Sequence, residues 1–73
     1  MKHERIETSP GIMVGKPVIR GTRITVELIL RKLGGGMAEE EILRDHPHLT
    51  LADIRAAQVF AADYLADEIT VFD

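Results

Sequence analysis

The run LTLADIRAAQVFAADYL, Leu49 to Leu65, decides how the rest of the chain folds. Thr50 and Asp53 stand at the spacing of a capping box, in which a hydroxyl and a carboxylate three residues apart satisfy the free amides that open a helix. Leu49 and Ile54 have the spacing of a hydrophobic staple across the same helix start. Leu51, Ile54, Ala57, Ala61 and Leu65 then follow one face. Val59, Phe60 and Tyr64 widen that face well beyond a narrow stripe, so the helix is expected to be buried on two sides. One side is the domain core. The other meets a second subunit, a partner protein or the N-terminal strands of the same chain.

Two shorter helices precede it. Residues 38–45 carry Glu39, Glu40 and Glu41 at their start, where the helix dipole favours carboxylates. Consecutive helical residues point about 100° apart, so these three do not converge on one substrate. Ile42 and Leu43 supply the apolar contacts, and Pro47 ends the helix. Thr25 caps the first helix, with Glu27 in its first turn and Ile24 and Ile29 at staple spacing. Val26, Ile29, Leu30 and Leu33 form its buried stripe. Arg31 and Lys32 complement the dipole near its end, and Gly34-Gly35-Gly36 stop it.

Ahead of the helices, residues 4–24 read as an irregular element of two or three short strands. Ile6 marks the first, Ser9-Pro10-Gly11 a turn, and Ile12 to Val14 a further extended piece. Pro17 biases Lys16 away from helix, Val18 and Ile19 are β-branched, and Gly21 permits a turn at positive φ. After the third helix, residues 67–73 form a tail in which Ile69 and Val71 alternate with Thr70 and Phe72. That pattern suits a strand added to another protein's sheet edge, or a frayed terminus. The expected organisation is one domain over residues 1–73: a β element at 4–24, a three-helix unit at 25–66 and the tail. The fold class is mainly α, a three-helix bundle of helix-turn-helix type with a short N-terminal β element.

A chain of 73 residues without cysteine has a small core and no covalent staple, which makes a homodimer the expected state. The charged N-terminus MKHERIETSPGI is not a secretory signal, and no apolar run approaches the ~18 residues of a spanning helix, so a soluble, cytoplasmic protein is expected, with no membrane partner. The net charge of −3 is unevenly spread. Residues 1–32 hold seven lysines and arginines against three glutamates, whereas residues 33–73 hold two arginines against nine carboxylates. Two ends with different partners are expected from such polarity.

The chemistry of an enzyme is missing. No cysteine nucleophile and no supported Ser-His-Asp pattern is present. His46 and His48 flank Pro47 without an obvious third ligand, so no metal site is expected. GKPVIRGT places its lysine after the first glycine, unlike a phosphate-binding loop, where lysine and hydroxyl follow the second. No cofactor and no small-molecule substrate is expected.

What remains in GKPVIRGTR, Gly15 to Arg23, is a set of cations that folding does not require. Lys16, Arg20 and Arg23, with the Thr22 hydroxyl, are candidates for nucleic-acid phosphates. With one more cation they imply a log–log salt slope of roughly −4 per subunit, doubled in a dimer. Arg20 and Arg23 have an alternative, pairing with the acidic second helix inside the domain or across a dimer. The third helix itself is an unpromising groove reader, because it carries Asp53, Asp63 and Asp67 against Arg55 alone. Phe60 and Tyr64, together with Ile69, Val71 and Phe72 of the tail, are candidate anchors for a partner protein.

Three blocks, GKPVIRGTRITVELIL, GMAEEEIL and HPHLTLADIRAAQVFAADY, resemble the bacterial and archaeal family known as domain of unknown function 433. The likeness covers about residues 6–66 and departs at Ala38, where the family often has a serine suited to capping the second helix. The resemblance implies a three-helical, homeodomain-like or winged-helix-like fold. It also implies a role like that of VapB-type antitoxins, which are commonly encoded beside a PIN-like toxin, a metal-dependent ribonuclease. The resulting expectation is a non-catalytic homodimeric antitoxin of a type II pair that neutralises such a toxin and represses its own operon by binding DNA. A stand-alone DNA-binding regulator and a non-catalytic dimeric adaptor are the alternatives.

Overall fold

The computed structural model describes residues 3–68. Two short strands, β1 (Ile6–Glu7) and β2 (Val18–Ile19), pair antiparallel with Ile6 opposite Ile19 and Glu7 opposite Val18. Three helices follow: α1 (Val26–Gly34), α2 (Glu39–Asp45) and α3 (Leu51–Glu68). The architecture is the expected mainly helical bundle with a small N-terminal sheet. None of the helices among the described residues is long and apolar enough to cross a membrane.

Each helix starts where its side chains satisfy free amides. Thr25 Oγ1 accepts the Leu28 N–H at 3.0 Å. Thr50 and Asp53 form a full capping box: Thr50 Oγ1 accepts the Asp53 N–H at 3.2 Å, and the Asp53 carboxylate accepts the Thr50 N–H at 3.0 Å. At α2 the box is half made. Glu41 Oε1 accepts the Ala38 N–H at 2.8 Å, but Ala38 has no hydroxyl to answer it. α1 stops in a Schellman arrangement, with the Met37 N–H on the Lys32 carbonyl and the Gly36 N–H on that of Leu33, both at 3.0 Å. Only Gly36 of the three glycines takes a left-handed φ there, at +98°.

One core collects a side chain from every element: Ile6, Ile19, Val26 and Ile29, Ile42 and Leu49, Ile54 and Ala57. The turn between β2 and α1 is closed by the Thr22 N–H on the Ile19 carbonyl at 2.9 Å, with Gly21 at φ +81°. This is the positive-φ turn the sequence calls for.

Two expectations are corrected. Of Ile12 to Val14, only Ile12 is extended. Ile12 bridges Ser9, and Met13, Val14 and Gly15 form a left-handed turn with φ of 49°, 57° and 83°. Two i→i+3 bonds, Gly15 N–H to Ile12 and Lys16 N–H to Met13, close this turn against the β preference of its residues. The second correction concerns α3. Its buried face does not run from Leu51 to Leu65, because Leu51 is 36 % and Leu65 54 % exposed. Burial ends near Ala61, and residues 62–67 are all exposed. The cause is length: α1 has 9 residues and α2 has 7, too few to flank an 18-residue helix that spans about 27 Å.

Candidate partner interface

The fold divides the cations of GKPVIRGTR among different surroundings. Lys16 Nζ meets Glu27 Oε1 at 2.9 Å, and Arg31 Nε meets Glu27 Oε2 at 3.0 Å, so one carboxylate holds two cations. Hydrogen bonds from Lys16 first, then Arg31, hold the Glu27 carboxyl below the ordinary glutamate range. Arg20 donates through Nε to the Glu4 carbonyl at 2.6 Å and lies 3.6 Å from Glu7 Oε1. Its carboxylate partner therefore comes from β1, beside which β2 delivers it, and not from the acidic second helix. Asp45 at the end of α2 pairs instead with Lys32, at 3.6 Å. Thr22 Oγ1 is occupied within the turn, donating to the Ile19 carbonyl at 2.8 Å and accepting the Ile24 N–H at 3.0 Å. Of the four candidates for phosphate, Arg23 is the cation that is exposed and makes no ion pair among the described residues.

The aromatic candidates sit together. Phe60 is half-buried, with the His3 ring edge-on at 5.2 Å and the Tyr64 ring stacked at 6.3 Å. His3 Nε2 also lies 3.1 Å from Asp63. The N-terminal turn thus covers Phe60, while Val59 and Tyr64 stay exposed at 54 % and 56 %. Ile69, Val71 and Phe72 lie outside the described residues. Asp53 is buried and tied to Arg5 at 3.0 Å, so the exposed acidity of α3 is concentrated toward its C-terminus.

Between α1 and α3 runs an open, largely apolar groove of about 480 Å³. Pro17, Val26 and Leu30 line it from one side, and Phe60, Ala61, Tyr64 and Leu65 of α3 from the other. The Lys16–Glu27–Arg31 group lines it as well. Sequence reasoning assigned Val26, Leu30, Ala61 and Leu65 to the core. Their matched i, i+4 spacing on two helices was the available signal that they face one another across a shared space.

The last turns of α3, which wall this groove through Tyr64 and Leu65, run past the core as an arm. Asp63, Asp67 and Glu68 fall in its final two turns, and its last turn holds no basic residue. Carboxylates at the negative end of a helix oppose the dipole. The arm is therefore apolar on one side, acidic, and electrostatically unfavourable as it stands.

The fold as a whole has known relatives. The family model described as a protein of unknown function, DUF433, matches residues 6–61. A crystal structure of a DUF433 member protein from Anabaena variabilis is similar at a TM-score of 0.80 and 30 % identity, covering 86 % of this chain and 62 % of that one. An uncharacterized protein of Sinorhizobium fredii, y4eO, is 36 % identical over 58 residues, covering 80 % of this chain. The match spans only 26 % of that relative's length.

Proposed function

The chain belongs to the DUF433 family, and on that footing we propose that it is the antitoxin of a type II toxin–antitoxin pair. In this reading it is a non-catalytic protein that binds and neutralises a PIN-like ribonuclease and represses its own operon by binding DNA. The observation that carries the reading is the arm of α3. It runs past the core, ends in Asp63, Asp67 and Glu68, and exposes Val59, Tyr64 and Leu65. A ribonuclease must present cations to its polyanionic substrate, and an acidic, partly apolar helix end is complementary to such a surface. Co-expression with the neighbouring gene's product tests it. The partner is expected to be toxic alone, harmless together with this chain, and to co-purify with it. A product that is harmless alone and does not co-purify overturns the reading.

The alternative of a stand-alone DNA-binding regulator draws on Arg23, exposed beside the Gly21 turn and free of ion pairs among the described residues. A gel shift at low salt decides it: operator binding without a partner, lost on Arg20→Glu and Arg23→Glu, favours the regulator.

A further inference from the structure

We propose that the groove between α1 and α3 is the seat of a second copy of this chain, whose α3 arm lies antiparallel across it in a two-fold dimer. The molecule carries both halves of the contact on one surface. The groove offers Pro17, Val26 and Leu30, with the cations Lys16 and Arg31 sharing the single carboxylate of Glu27. The arm offers Tyr64 and Leu65, which also wall the groove of their own copy and are each more than half exposed, followed by Asp67 with no cation in its turn. A two-fold axis requires such a self-complementary patch, because each residue meets its counterpart's neighbours reciprocally.

Charge selects this occupant. The groove's ionic group has an excess of cation, while the arm's end has an excess of carboxylate placed against its own dipole. Bringing Asp67 of one copy to Lys16 and Arg31 of the other answers both. Asp63 is already engaged by His3, and Asp67 follows Leu65 in the last turn of the helix. Folding adds a reason for the arm to be covered. Two turns of helix without a buried face are marginal in water, and packing on a second copy supplies that face.

The second copy covers the Tyr64 and Leu65 that the antitoxin reading offers to the nuclease, which leaves a nuclease the other side of α3, at Val59; the test uses the full chain alone. Sedimentation equilibrium is expected to show a reversible dimer. Leu65→Asp, a change at a residue outside the core, is expected to give a monomer with unchanged helical content and thermal midpoint of the monomeric fold. Arg31→Glu is expected to weaken dimerisation about tenfold, since each reversal is counted twice across the axis. Adding Asp67→Arg to Arg31→Glu is expected to restore it. A wild-type monomer at all concentrations, Leu65→Asp dimers of undiminished affinity, or no rescue by the double reversal each overturn the inference. A monomer that still neutralises the nuclease overturns the dimer and leaves the antitoxin reading standing. A dimer that protects no cell does the reverse.

Discussion

The guanidinium of Arg5 stands 3.0 Å from the carboxylate of Asp53, joining the N-terminal turn to the start of α3 across 48 positions of sequence. Asp53 is 7 % exposed and also accepts the Thr50 N–H, so one side chain both caps a helix and anchors the sheet beside it.

The two partners are expected to contribute unequally. Asp53→Ala removes the carboxylate half of the capping box and the anchor, while Thr50 Oγ1 keeps the residue-53 N–H, and is expected to cost about 1–2 kcal/mol in urea unfolding. Arg5→Ala leaves the capping box intact, and the Arg5 side chain is 54 % exposed, so its cost is expected to stay below about 1 kcal/mol. Equal losses would mean that the ion pair, and not the cap, is the main contribution.

The glycines that end α1 are expected to respond in opposite directions. Gly34 lies within the helix with open space where a Cβ would go, and Gly34→Ala is expected to stabilise by about 0.5–1 kcal/mol. Gly36 sits at φ +98°, and Gly36→Ala is expected to destabilise by about 1 kcal/mol or more. Thermal melts of the two variants provide the comparison.

Glu27 gives the fold a pH dependence of known sign. Its folded carboxyl is held below the ordinary glutamate range by Lys16 and Arg31, so its stabilising effect is present above the unfolded value. That effect is lost as pH falls through the depressed folded value. Carboxyl NMR titration is expected to show Glu27 ionising below a free glutamate, and Lys16→Met is expected to move it upward. An unchanged titration in Lys16→Met would remove Lys16 as the cause.

Val14 is a β-branched residue held at φ 57° and ψ 34° with 92 % of its surface exposed. No packing compensates that conformation, so Val14→Asn is expected to stabilise by about 0.5–1 kcal/mol, seen as a raised unfolding midpoint. A loss instead would show that the valine side chain contributes something the isolated chain does not reveal.

Most of the fold was legible because its signals are local. Thr25, Thr50 and Asp53 cap where their spacing says they should, Gly21 turns, and the apolar stripes of α1 and α2 meet. The left-handed turn at Met13–Gly15 was not, since Met13 and Val14 are poor residues for it and only the closing hydrogen bonds select it. The exposure of Leu65 was also hidden. A periodic stripe states which residues share a face, but not how far the neighbouring helices reach along it. The candidate site was legible only in pieces: Lys16 and Arg20 were recognisable as cations, but the carboxylates that hold them, Glu27 and Glu7, depend on tertiary pairing.

The mismatch between an 18-residue α3 and its shorter companions has an evolutionary consequence. Residues 62–67 are exposed throughout, so most substitutions there leave the folding equilibrium where it was. Recognition can drift in that segment while the head of the molecule keeps its own packing. Chains built on this scaffold could then differ in what they recognise through a few arm residues while folding alike.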